Sequence, residues 1–152
     1  MKKDQRFYLR RALELAVLAK ASGDYPFGSI LVDNEGNIIL EAKNSQLIDN
    51  DITAHSELKL VREAARLYDK EFLKSCTMYN SAEPCTMCTG AIYRSGIRKI
   101  VYGISKLRLN EIRNTDTGIK YNIHELLNNS EKDFEVIGPS QDMLLEVEKP
   151  YL

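Results

Sequence analysis

Leu9, Ala12, Leu13, Ala16 and Ala19 recur at helical spacing, which predicts a first helix over about Asp4 to Ser22 with Gly23 as its stop. The period then changes. Phe27-Gly28-Ser29-Ile30-Leu31-Val32 reads as a strand, Asn34-Glu35-Gly36-Asn37 as a turn, and Ile38-Ile39-Leu40 as the start of a second strand, together a hairpin. A polar loop follows from Asn44 to Asp51. Thr53 is expected to cap a helix from Ala54 to Leu67 that turns Leu58, Val61, Ala65 and Leu67 inward. Cys76 to Asn80 reads as a short strand. Pro84 suits the first turn of a helix running to Ser95, with Gly96 ending it. Lys99 to Tyr102 is the next strand, followed by a mostly polar stretch. His124 to Leu127 reads as a short helix, Phe134 to Ile137 as a strand, and Ser140 as the cap of a last helix through Val147.

The expected order is α-β-β-α-β-α-β-α-β-α. Such alternation predicts an α/β layered sheet, with one antiparallel pair from the hairpin and parallel neighbours where helices connect strands. The 152 residues suit a single domain, and neither a repeat nor a Pro/Gly/Ser linker divides them.

Charge changes the picture more than composition does. Lys plus Arg number 21 and Asp plus Glu 22, a net charge of −1. A surface that holds a polyanion usually carries a basic excess, so the balance argues for a small-molecule substrate over a long nucleic acid. The opening Met1-Lys2-Lys3-Asp4 reads as a solvated terminus with no apolar stretch of a signal peptide after it, and no apolar run is long enough to span a bilayer. The expected compartment is cytoplasmic. The cysteines are Cys76, Cys85 and Cys88. An odd number does not suggest a disulfide framework, but Cys85 and Cys88 form a C-x-x-C pair, which points to metal or redox chemistry.

Candidate chemistry concentrates in His55-Ser56-Glu57 and Pro84-Cys85-Thr86-Met87-Cys88, with Asn44 upstream. The i, i+3 spacing puts both sulfurs on one side near a helix N-terminus, where the helix dipole favours thiolates. His55 supplies a third ligand. Two Cys and one His leave one tetrahedral position of a zinc ion open to a water whose pKa the metal lowers. Glu57, two residues from that ligand, would move protons from the water to the ring nitrogen and the leaving amine. An H-x-E followed by P-C-x-x-C is the pattern of zinc base deaminases.

Other readings use fewer of these residues. A redox dithiol needs the cysteine pair but neither His55 nor Glu57. A closed Cys3His structural zinc site would recruit Cys76 and leave Glu57 without a role; a small buried core residue is the simpler reading of Cys76. Asn44 by itself reads as a turn residue opening a loop, Phe27 as core, Tyr151 as a frayed terminus, and His124 as a surface or capping residue.

The stretches Thr53-Ala54-His55-Ser56-Glu57 and Ser81-Ala82-Glu83-Pro84-Cys85-Thr86-Met87-Cys88-Thr89-Gly90-Ala91-Ile92 closely resemble the cytidine deaminase-like superfamily. More narrowly they are similar to the branch holding guanine deaminase, fungal-type cytosine deaminase and the tRNA adenosine deaminases. The resemblance runs from the first helix to about Ser105. It implies a three-layer α/β/α domain with a five-stranded mixed sheet and one zinc ion per chain on His55, Cys85 and Cys88. It also implies Glu57 as proton shuttle and a homodimer with the active site close to the subunit interface. It assigns substrate contacts to Asn44, whose amide offers a donor and an acceptor, and to backbone groups beside Ser56, Ala82 and Glu83. Ser56 departs from the usual Ala; its small hydroxyl is either tolerated there or alters the pocket floor.

Three functions follow. The first is deamination of a free nucleobase or small nucleoside, with guanine leading. Pro26-Phe27-Gly28 and Gly90-Ala91-Ile92-Tyr93 resemble the guanine enzymes, and Tyr151 resembles their C-terminal aromatic that closes the pocket, here in cis or across a dimer. Against guanine, the Asp expected after the fourth strand is missing: Ser105-Lys106-Leu107-Arg108-Leu109-Asn110-Glu111 offers only Glu111, and Arg108 near the pocket would suit another ring or an acidic substituent. Cytosine, isocytosine, a pterin or an aminotriazine therefore stay open. The second function is a tRNA adenosine deaminase, although the acidic tail differs from the basic helix with which those enzymes hold RNA. The third is a non-catalytic zinc-binding module. The segment Arg113 to Asn122 reads equally as a loop over the site or as an ordinary surface connection.

Overall fold

A computed structural model describes residues 3–152; Lys2 of the expected solvated terminus lies outside the described residues. The chain forms α1 (Gln5–Ala21), β1 (Gly28–Val32), β2 (Ile38–Lys43), α2 (Ser56–Leu67), α3 (Lys70–Lys74), β3 (Thr77–Ala82) and α4 (Thr86–Ser95), then β4 (Lys99–Ile104), α5 (Lys106–Ile112), α6 (Ile123–Asn128), β5 (Glu135–Ile137) and α7 (Leu144–Glu148), closing on a 3-10 turn (Lys149–Tyr151). The sheet has five strands in the order β2-β1-β3-β4-β5. β1 is antiparallel to β2 and β3, while β4 is parallel to β3 and β5. This is the expected mixed α/β sheet. No helix among the described residues is long and apolar enough to cross a membrane.

The central strands are apolar on both sides, so each face needs a helical cover. Leu31, Met78, Ile100 and Tyr102 pack with Leu60, Val61, Ala64 and Ile92 of α2 and α4 and with Ile123 and Leu127 of α6. Ile30, Val32, Tyr79 and Val101, the alternate positions, pack with Tyr8, Leu9 and Leu13 of α1 and with Met143 and Val147 at α7. Three layers result.

Gly28 shows how closely α1 lies on the sheet. A Cβ there would overlap the Ala12 carbonyl oxygen and approach Leu15 Cβ to 2.6 Å and Ala16 N to 2.7 Å. Helix backbone cannot yield as a side-chain tip can. Gly28→Ala is therefore expected to cost roughly 1–3 kcal/mol or more, read as a lower unfolding temperature by calorimetry; an unchanged temperature would show that α1 can shift freely.

Several local expectations need correction. Thr53 does not cap α2: its hydroxyl donates to Asp51, and His55 occupies the cap position without a side-chain cap bond. The buried face of α2 is Glu57, Leu60, Val61 and Ala64, whereas Ala65 and Leu67 face solvent. The inward stripe is set by the face through which α2 packs on Leu31, Met78 and Ile92, which is that of Leu60, Val61 and Ala64. Pro84 lies before α4, which Cys85 caps, and Gly96 ends it with φ 104°. Ser140 bonds Asp142, and α7 starts only after Met143. The sequence pattern predicts neither α3 nor α5; Lys106-Leu107-Arg108-Leu109 alternates like a strand, yet Ser105 caps a helix there by accepting from Arg108 N–H.

Candidate active site

Three element ends meet beyond the C-terminal edge of the parallel pair β3–β4. The end of β3 runs through Ala82 and Glu83 into the N-terminus of α4, and the N-terminus of α2 faces it. Crevices at the carboxyl ends of parallel strands are common ligand sites. Cys85 is the cap residue of α4, and Cys88 N–H points to its sulfur at 3.5 Å. His55, with extended backbone at the start of α2, swings its ring toward both cysteines.

His55 Nδ1 lies 3.5 Å from Cys85 Sγ and 3.4 Å from Cys88 Sγ. A tetrahedral zinc with ordinary Zn–S and Zn–N bonds separates its N and S ligands by roughly 3.5–3.8 Å. The three donor atoms all lie within 4.8 Å of one another, a group able to hold a metal ion. Donor type and spacing both fit zinc. Cys76 takes no part: it is buried in the core and its thiol faces the Phe72 carbonyl, so the closed Cys3His arrangement is not formed.

The sulfurs and the imidazole polarise one another. Hydrogen bonds from the Cys88 thiol and from His55 hold the Cys85 thiol down to about 4, against the effect of burial. The Cys85 sulfur beside it, together with burial, pushes Cys88 up. The contact with Cys85 in turn raises His55. A dication at the centre of this group would replace the shared proton and stabilise both thiolates.

Glu57 belongs to the first turn of α2 and is 5% exposed. Burial pushes its carboxyl above the ordinary carboxylate range, with His55 opposing. Ser56 Oγ donates to Glu57 Oε1 at 3.1 Å and lies 2.9 Å from Ser29 Oγ, which donates to Asn80 Oδ1 at 2.9 Å. The serine is thus not a change in the pocket floor. It sits beneath Glu57 as one member of a buried polar chain that restrains the carboxylate.

His55, Glu57 and Cys85 border a cavity of about 250 Å³ together with Asn44, Phe27, Ala82 and Glu83. Asn44, just past β2, is buried and bonded to Asp24. The Glu83 role extends beyond its backbone: one carboxylate oxygen accepts from Lys106 N–H at 3.0 Å and the other from Ile123 N–H at 2.8 Å, tying α5 and α6 to the cavity edge. Tyr25, Gln46, Lys106, Leu109, Arg113 and Tyr121 complete the lining. No sequence motif singles out any of these six. Arg113 and Tyr121 do bring the segment between α5 and α6 to the site, the first of its two readings.

Three expectations are overturned. Tyr151 does not line the cavity. Its ring lies 5.7 Å from that of Phe27, centroid to centroid, among Ala82, Ile104 and Leu109 of its own chain. Val147, packed where a Cβ on Gly103 would come within 3.0 Å of it, anchors the preceding helix on β4, so the chain end backs the pocket wall instead of covering its mouth. Arg108 and Glu111 also turn away from the cavity. Arg108 pairs with Glu148 at 2.6 Å and Glu111 at 3.1 Å. His124 is neither on the surface nor a cap: it is half-buried, contacts Tyr102 OH and the Gly138 carbonyl, and leaves the capping of α6 to Asn122.

Residues 1–104 match the cytidine and deoxycytidylate deaminase zinc-binding region. A probable cytosine deaminase of Schizosaccharomyces pombe is 36% identical over 135 residues, 87% of this chain and 82% of that protein. A tRNA-specific adenosine deaminase of Haemophilus influenzae is 42% identical over 104 residues, 68% of this chain and 60% of that protein. The structure of guanine deaminase from Bacillus subtilis superposes with a TM-score of 0.65 at 26% identity, covering 86% of this chain and 98% of that one. Relatives named for three different substrates are thus similar to this chain, and with the zinc-binding region matched over two thirds of its length and the histidine and two cysteines in place, the chain belongs to the cytidine and deoxycytidylate deaminase family.

Proposed function

We propose that the chain catalyses hydrolytic deamination of an exocyclic amino group on a free nucleobase or small nucleoside, with a guanine-like ring leading, and releases ammonia. The observation that carries this reading is that Glu57 and the His55–Cys85 donors border one small cavity with Phe27 and Asn44. At about 250 Å³ it falls below the roughly 300–1,000 Å³ of pockets for drug-sized ligands, which favours a bare ring. Phe27 offers that ring an apolar face and Asn44 a polar edge.

His55, Cys85 and Cys88 would hold the zinc, which when bound supplies Lewis-acid activation of water. Glu57 does the proton work. Ser56 engages Oε1, which leaves Oε2 to accept a proton from the attacking water. The same carboxyl gives that proton to the ring nitrogen beside the reacting carbon, then takes the remaining proton from the hydroxyl left on that carbon and passes it to the departing amine. Water adds one oxygen, ammonia leaves, and a ring carbonyl remains. Burial raises the Glu57 carboxyl above its ordinary value, which makes it a stronger acceptor for the water's proton.

A tRNA adenosine deaminase is the second reading. Lys106 and Arg113 line the cavity and neither forms an ion pair among the described residues, so two cations stand where phosphates flanking a flipped base would pass. Ammonia release from guanine, cytosine, isocytosine, adenine, their nucleosides, pterins, aminotriazines and a tRNA anticodon stem-loop separates the two. Turnover of one small ring is expected. Turnover of the stem-loop alone would transfer the function to RNA, and silence on all substrates would favour a binding module.

A further inference from the structure

Asp24 lies outside both zinc motifs, yet it holds one cavity residue in a single orientation. It is 6% exposed. Its carboxylate accepts from Asn44 Nδ2 at 2.7 Å, from Tyr25 N–H at 2.9 Å, from Leu47 N–H at 3.1 Å and from Ile48 N–H at 3.0 Å. Burial raises its pKa, but the donors from Ile48, Tyr25, Leu47 and Asn44 outweigh that and keep it below the ordinary value. An ionised carboxylate only accepts. Asn44 must therefore turn its amino side to Asp24, which removes the usual ambiguity between amide N and O.

The consequence falls on the other end of the amide. Asn44 is 1% exposed, and its Oδ1 is buried without a partner among the described residues. An unpaired buried carbonyl is costly, and this one belongs to a residue lining the same cavity as Glu57 and His55. Were Asn44 free to flip, it would offer a ligand either polarity. Held by Asp24, it offers an acceptor.

We propose that Asp24 sets the hydrogen-bonding polarity of the substrate pocket, holding Asn44 Oδ1 as an acceptor that selects a ring carrying an N–H on the edge facing it. With that N–H at the ring atom that a nucleoside uses for its glycosidic bond, the substrate class is the free base. A nucleoside or polynucleotide replaces one ring N–H by a glycosidic bond and cannot donate from that atom. This rests on the deaminase reading of the same site. Asp24 acts through Asn44 and is a positioning residue.

The test compares cytosine with 1-methylcytosine and guanine with 9-methylguanine, in the zinc-loaded wild type and in Asp24→Asn. Both calorimetric binding and ammonia release are measured. The wild type should favour the N–H ring by about tenfold or more, the worth of one buried hydrogen bond. Asp24→Asn should shrink that ratio severalfold, mainly through KM, because a neutral amide in place of the carboxylate can both donate and accept and no longer dictates the Asn44 orientation. A purely steric rejection of the methyl group leaves the ratio unchanged and overturns the proposal. If Asp24→Asn fails to fold, Asn44→Ser removes the carbonyl directly and must collapse the same ratio; an intact ratio overturns the proposal. Failure of the underlying reading looks different: the rings neither bind nor react while the stem-loop does, which overturns both. Rings that bind but do not react still report the ratio.

Discussion

Glu57→Gln is expected to reduce ammonia release by about 10²–10⁴-fold, the usual worth of a positioned acid–base group, while zinc content and fold survive. The substitution keeps shape and volume. The Gln carbonyl still accepts from Ser56, which bonds only one of the two carboxylate oxygens. What disappears is the ability to take and return a proton. The Glu57 carboxyl is buried and raised above its ordinary range, so the neutral amide also removes a charge that is expensive to bury. Stability should hold or rise slightly. Ammonia assay, zinc analysis and calorimetry on the same preparation check the three parts together. A Gln variant with nearly full turnover would falsify the proton-shuttle role and leave the zinc-binding module as the better reading.

Cys88→Ala should abolish both activity and zinc binding. Cys88 is fully buried and its sulfur completes the donor set with His55 and Cys85, while Cys76 lies in the core between α3 and β3 and cannot stand in for it. Two remaining protein ligands hold zinc too weakly to survive dialysis. A metal that binds only the folded chain stabilises it by RT ln(1 + [L]/Kd), about 2.7 kcal/mol at a hundredfold excess over Kd. For a domain of this size that corresponds to an unfolding temperature lower by roughly 5–11 °C. A chelator should lower the wild-type temperature by a similar amount, and added zinc should restore it. Cys76→Ala is the control and should keep its zinc. Metal retained in Cys88→Ala but lost in Cys76→Ala would reverse the ligand assignment.

The chain by itself determined the elements with strong periodicity and the chemistry confined to short motifs. α1, the β1–β2 hairpin, β3, α4 and β4 are legible because burial on the sheet demands long apolar stripes or runs, and Gly23 and Gly96 mark helix ends by conformations that side chains resist. The zinc donors and the candidate proton shuttle are legible because Cys85 and Cys88 are three residues apart at one helix N-terminus, and His55 and Glu57 are two apart at another; such spacing fixes geometry locally. Tertiary structure decided what depends on distant segments. α5 carries an alternating sequence that the Ser105 cap and the packing of Leu109 against Ala82 and Ile104 together resolve into a helix. Distance along the chain puts Arg108 near the pocket, but Glu148, forty residues away, draws it outward. Tyr151 supports the pocket wall instead of covering the mouth, because α7 lies on β4. Asp24 has no motif to announce it. Its influence on Asn44 comes from a loop that folds back across twenty residues, and a hydrogen bond between such partners exists only once the sheet has brought them together.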